Sequence, residues 1–250
     1  MGSSSGEASH VRCGMKNSYC LRTQLAGLDY YGECRPAREA AWDFFEFIPV
    51  DRQSLVCSLG RIHGRGISAA FTMASLQAFL RSLTRHHRGS FAAVVRDLNR
   101  AIYEIAPDTF YASLFYAWVD PARAQLHYVS AGHGPVLLIR PGDPHVRRLE
   151  NTGTVLGLSL RVDFRQRTAD LQPGDLLLAM TDGVTDTLRE EEVLEIVDGG
   201  AAMRPVDLVR HVLDAARGSD DRTALAVRLQ RHAEMPMFEV EAAELAYSAA

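Results

Sequence analysis

This 250-residue chain predicts an α+β layered domain, on three observations. Runs of β type and runs of helical type are segregated rather than alternating: strands, two helices, many strands, two helices, one strand. The β-type runs follow one another at turn-length spacing, so antiparallel pairing is expected. At Ile67 the hydrophobic period changes from about two to about 3.6, which marks the first helix.

Taken in order, FFEFIPV (44–50) and SLVCSLG (54–60) read as two strands joined by a DRQ turn. Residues 67–85 place Ile67, Ala70, Phe71, Ala74, Phe79 and Leu83 at helical spacing, with Arg81 and Arg85 at the end where the helix dipole favours cations. A second helix starts after Ser90, a residue suited to the N-cap, and Pro107 ends it. The β-type runs FYASLFYAWV, QLHYVSAG, PVLLIR, VDFRQRTADL and GDLLLAMTDG come next, divided by Gly, Pro and Asp. Helices are expected near 189–197 and 206–217, and a last strand at RTALAVRL. The Ser- and Gly-rich residues 1–26 read as a flexible arm, with order beginning near Gly27. Residues 232–250 read as a tail with some amphipathic character.

Composition narrows the function classes. Hydrophobic residues make up 47% and charged residues 23%, as in ordinary globular proteins, and the length suits one large domain. The net charge of -4 offers no basic footprint for nucleic acid. No apolar run reaches the length of a membrane span, and the N-terminus lacks the apolar core of a secretory signal, so no membrane partner and a cytoplasmic location are expected. Cys13, Cys20, Cys34 and Cys57 follow neither a metal nor a disulfide spacing and are expected to be reduced thiols. Basic charge is almost all arginine, Lys16 being the only lysine.

Two chemical patterns deserve testing. GRIHGRG at 60–66 lies between a strand and a helix, as a phosphate-cradling loop would. A dinucleotide fold then requires a second strand and an acid about twenty residues on, where this chain has TRHHRGS, and a P-loop requires Lys and Ser or Thr after Gly64. Neither pattern is met. The second pattern is acidic: Asp43, Asp182, Asp220 and Asp221 stand where β-type runs begin or end. Each alone reads as a turn residue. Gathered together, such carboxylates would suit a hard divalent cation such as magnesium or manganese.

Five stretches resemble, in order, the SpoIIE branch of the PPM family of metal-dependent protein serine/threonine phosphatases. They are CRPAREAAWDFFEF (34–47), GRIHGRGISAAFTM (60–73), FYASLFYAWVDPARAQLHYVSAGHGPVLL (110–138), PGDLLLAMTDGVTD (173–186) and SDDRT (219–223). The resemblance implies a domain over 27–231 built as a central antiparallel β-sandwich flanked by helices, with two Mn2+ or Mg2+ ions at one end. It implies Asp43 as ligand of one ion and Asp182 and Asp220 as ligands of the other, with the backbone carbonyl of Ile62 adding a further bond. Asp221 is the less favoured acid of its pair. Water acidified between the ions would attack phosphoserine or phosphothreonine in line. The implied partner is a phosphorylated regulatory protein of the anti-sigma-factor antagonist class, with regulation expected from partners or from self-association as a homodimer. No Cys-x5-Arg is present to support a cysteine nucleophile.

The chain departs from the family at the positions that matter most. Arg61 stands where the family has the aspartate that bridges both ions. A guanidinium cannot be a ligand, and at ~4 Å and an effective dielectric near 20 its repulsion of a dication is about 8 kcal/mol before screening. Ala41 and Trp42 replace two glycines beside Asp43, and His63, a candidate general acid, replaces a serine. His133 reads as structural. Arg61 is therefore expected to pair with Asp43, Asp182 or Asp220 in place of a cation, with one metal or none bound. The expected function is an impaired phosphatase, or a pseudophosphatase that binds its partner without catalysis.

Overall fold

The computed structural model describes residues 10–12, 19–25, 27–37, 41–64, 66–87, 89–106, 110–143, 145–199 and 203–230. Two antiparallel sheets face each other, and helices cover both outer faces, which is the α+β sandwich expected. The first sheet holds β1 (His10–Arg12), β2 (Tyr19–Leu25) and β3 (Leu28–Arg35). The second holds β4 (Asp43–Pro49), β5 (Leu55–His63), β6 (Tyr111–Asp120), β7 (Gln125–Ala131) and β10 (Arg167–Asp170), in the order β10-β7-β6-β5-β4. β8 (Val136–Ile139), β9 (Arg147–Arg148), β11 (Leu176–Met180) and β12 (Arg222–Leu229) complete the first, in the order β1-β2-β3-β12-β11-β8-β9.

Side-chain alternation sorts the strands into three cores. Leu55, Cys57 and Leu59 of β5 meet Phe47, Leu177 and Leu225 between the sheets. Val56 and Ile62 face outward, under α1 (Gly66–His86) and α2 (Phe91–Ile105). On the opposite side Leu137, Leu178 and Ala226 lie under α4 (Glu190–Gly199) and α5 (Pro205–Ala215). Buried Glu46 ties β4 to α1 by accepting hydrogen bonds from Gln77 and Arg81.

Several elements differ from expectation. GRIHGRG is half strand: β5 runs to His63, so Arg61 and Ile62 belong to a ladder rather than to a loop. The arm expected over residues 1–26 contains β1 and β2, and β2 pairs with β3 through seven residue pairs, because β3 would otherwise be an open edge. VDFRQRTADL yields only the four-residue β10. A single-turn helix, α3 (Asp182–Thr185), follows β11 directly, too short to leave a periodic signal. Ser90 precedes α2 as expected, although its side chain makes no cap bond. Pro107 and the tail over 232–250 lie outside the described residues.

Candidate active site

Strand parity decides what reaches the end of the sandwich. Asp43 opens β4 and stands opposite Arg61 in the β4–β5 ladder, on the face that carries Phe45, Phe47, Leu59 and Cys57 toward the other sheet. β11 and β12 of that sheet end beside them and deliver Thr181, Asp182, Asp220, Asp221 and Thr223. Asp43, Arg61, Asp182 and Asp220 are thereby gathered from four separate stretches.

Arg61 is the hub. One guanidinium nitrogen lies 3.2 Å from Asp43 Oδ1 and another 2.5 Å from Asp220 Oδ2. Burial works against its charge, and Asp43, Asp220 and Asp182 outweigh that cost and raise its pKa above the ordinary arginine value. The Asp43 side chain is fully buried. Its Oδ2 accepts hydrogen bonds from Thr181 (2.7 Å) and Thr223 (2.8 Å), a pair of hydroxyls reaching across from the facing sheet. Burial pushes Asp43 up to about 7, against the Thr181 bond, the Arg61 charge and the Thr223 bond. Three donors converge on it, the set an anion requires.

The other acids have different tasks. Asp182 begins α3 and is exposed, close enough for its charge to act on Arg61 and His63. Asp221 is buried and turned away: its two oxygens accept the backbone N–H groups of Ala37 and Trp42 at 2.7 Å each, which fastens the stretch leading into β4. The backbone N–H of Ile62 donates to the Trp42 carbonyl, and its side chain is buried under the helices. His63 stacks on its cross-strand neighbour Tyr111, ring centres 4.3 Å apart. Burial and then the Arg61 charge hold the imidazole below its ordinary pKa, against the charges of Asp182 and Asp220. His133 is buried and bonded to Ser113, in keeping with a structural role.

A cation shared by Asp43 and Asp220 would need acceptor atoms between them, and a guanidinium with no lone pair fills that space. Among the described residues, no group of three or more His, Cys, Asp or Glu side chains is arranged to hold a metal ion. The residues present do not fit a bridged pair of cations. Reading the acids alone missed Thr181 and Thr223, although both stand within the quoted MTDGVTD and SDDRT stretches.

The sequence matches the family described as Stage II sporulation protein E (SpoIIE) over residues 51–230. It is similar to the phosphoserine phosphatase RsbU of Bacillus subtilis (strain 168), 31% identical over 177 residues that cover 70% of this chain and 52% of RsbU. The phosphoserine phosphatase RsbP of the same organism is 25% identical over 202 residues, covering 76% of this chain and 49% of RsbP. The chain thus spans about half the length of these relatives. The RsbU and RsbW domains of a Mycobacterium tuberculosis protein superpose with a TM-score of 0.71 at 25% identity, covering 82% of this chain and 62% of that one. RsbX solved in complex with magnesium gives 0.67 at 16% identity, covering 84% and 100%.

Proposed function

The chain belongs to the SpoIIE family of PPM-type protein serine/threonine phosphatases, and we propose that it is a phosphatase domain whose activity is impaired by Arg61. One observation carries the reading: the guanidinium bonded to both Asp43 and Asp220. In this family a divalent ion supplies the acidified water. Here Asp43, Asp182, Asp220 and the Ile62 carbonyl are the groups that would hold Mn2+ or Mg2+, and a positive side chain already neutralises two of the acids. Asp182 and Asp220, both largely exposed, leave room for at most a single weakly held ion.

By its relatives, the protein's substrate class is phosphoserine or phosphothreonine on a signalling protein, of the anti-sigma-factor antagonist type. The same salt bridges favour a second reading, a pseudophosphatase that binds such a regulatory partner without turning it over. Hydrolysis of 4-nitrophenyl phosphate with Mn2+, measured for the natural protein and for Arg61→Asp, tests both. We expect the substitution to raise turnover by about 100-fold, which corresponds to roughly 3 kcal/mol of barrier. Robust Mn2+-dependent turnover by the natural protein would overturn impairment. Turnover by Arg61→Asp alone, with the natural protein still retaining a phosphorylated partner, favours the pseudophosphatase.

A further inference from the structure

Among the described residues, the large hydrophobic side chains that stand in solvent share one layer. Ile67 (77% exposed), Phe71 (71%) and Phe79 lie on α1, and Tyr103 and Ile105 on α2. Leu158 and Leu160 belong to a segment that Asn99 of α2 holds through Gly157 N–H and the Ser159 carbonyl. The helices covering the other sheet show no such side chains.

α1 is apolar on two faces. Ala69, Leu76 and Leu80 pack on the sheet, while Ile67, Ala70, Phe71, Ala74 and Ala78 point the opposite way at helical spacing. No charged residue occurs from Gly66 to Leu80. An exposed apolar stripe of this kind marks an interaction surface. Its surroundings are basic on balance: α1 contains no acid, and Arg85, Arg96, Arg100, Arg161 and Arg165 are exposed on the same layer against Glu104, Asp97, which pairs with His87, and Asp163, which pairs with Arg165.

We propose that this face is covered by the chain's own residues 234–247. That stretch, EMPMFEVEAAELAY, has four glutamates and no Lys or Arg, complementary to the arginines. Met235, Phe238, Ala242 and Leu245 recur at spacings of three and four, the pattern of one helical face. Position permits it. Gln230, at the end of β12 away from Asp220, donates its N–H to the Gly27 carbonyl, and Gly27 abuts Pro121 at the β6–β7 turn of the α1-bearing sheet. α1 starts at the Arg61 end and runs about 30 Å toward that turn. Residues 231–233 in extended form (~10 Å) and fourteen helical residues (~21 Å) together span ~30 Å, so the segment can run along α1 from the β6–β7 end back to Ile67.

Hydrogen exchange read by mass spectrometry on the full chain tests the proposal, with a free synthetic peptide of residues 231–250 as reference. Amides from 238 to 247 should exchange ~10-fold or more slowly in the protein than in the peptide. The protection should vanish in Ile67→Glu/Phe71→Glu, which alters two exposed residues of α1, and in Phe238→Glu/Leu245→Glu. Peptide-like exchange in the natural protein would overturn the assignment, as would protection that survives either double substitution. A dimer in sedimentation that Ile67→Glu/Phe71→Glu dissolves, without tail protection in the natural protein, would instead assign the face to a second copy.

Discussion

Arg61 faces Asp43 across adjacent strands, its guanidinium 3.2 Å from a carboxylate that has no contact with solvent. Removing one partner of such a pair leaves the other buried and uncompensated. Arg61→Ala should lower stability by about 2 kcal/mol, less than an orphaned charge would cost because Asp43, already pushed up by burial, takes up a proton and keeps its bonds from Thr181 and Thr223. Urea unfolding of Arg61→Ala, Asp43→Ala and the double variant should show a coupling of about 1–2 kcal/mol. Additive losses would mean that the pair does not act as a pair.

With arginine supplying the positive charge, the fold should not depend on a metal ion. Dialysis against a chelator should move the melting temperature by less than about 2 °C, since 1 kcal/mol corresponds to about 2–4 °C at this size. A large fall would show that a bound cation, rather than Arg61, holds the acids together.

The Thr181 and Thr223 hydroxyls join the two sheets through one carboxylate oxygen. Thr181→Val and Thr223→Val should each cost about 1–2 kcal/mol, with the double variant losing less than the sum because Thr181 Oγ1 also accepts the Thr223 N–H. Chemical denaturation of the three variants checks this, and a neutral Thr223→Val would count against the clamp.

Gly183 in α3 has no room for a side chain: a Cβ there would lie 1.9 Å from the Asp221 carbonyl oxygen. Gly183→Ala should displace α3, and with it Asp182, from the Asp220–Asp221 segment, at a cost of roughly 3 kcal/mol or more. A denaturation midpoint that moves by less than the equivalent of ~1 kcal/mol would show that the approach is looser than described.

Burial holds His133 down to about 4, against 6.5 for a free histidine. The native state therefore keeps His133 neutral where the unfolded chain takes up a proton. The stability it protects is fully present above pH 6.5 and is lost as pH falls from 6.5 toward 4, by roughly 3 kcal/mol at the lower limit. Asp43, raised by burial, runs the other way over an overlapping range, so the readout is the difference between the natural protein and His133→Gln. Stability curves that stay parallel from pH 7 to 4.5 would contradict a neutral buried ring.

Much of the architecture was legible in residue spacing. α1, α2, α4 and α5 lie within a few residues of their expected positions, because one buried stripe per helix writes a local period. Short elements were not legible: α3 has four residues and β9 two, less than a period needs to declare itself. β1 and β2 were hidden by the Ser- and Gly-rich composition of their neighbourhood, and pairing rather than propensity defines them, β2 with β3 and β1 with β2.

At the site, residue order was enough to show which acids stand at strand ends, and the resemblance to the family marked Arg61 as standing where an aspartate was expected. It left open whether Arg61 faced solvent from a loop or the space between the sheets. The fold answers this by extending β5 to His63, so that strand parity turns Arg61 toward Asp43. It also supplied partners that no local pattern could announce: Thr181 and Thr223 lie 138 and 180 residues from Asp43 in the chain. Periodicity is a property of neighbours along the chain, whereas a buried charge is satisfied by whatever the packing of distant strands brings within about 3 Å.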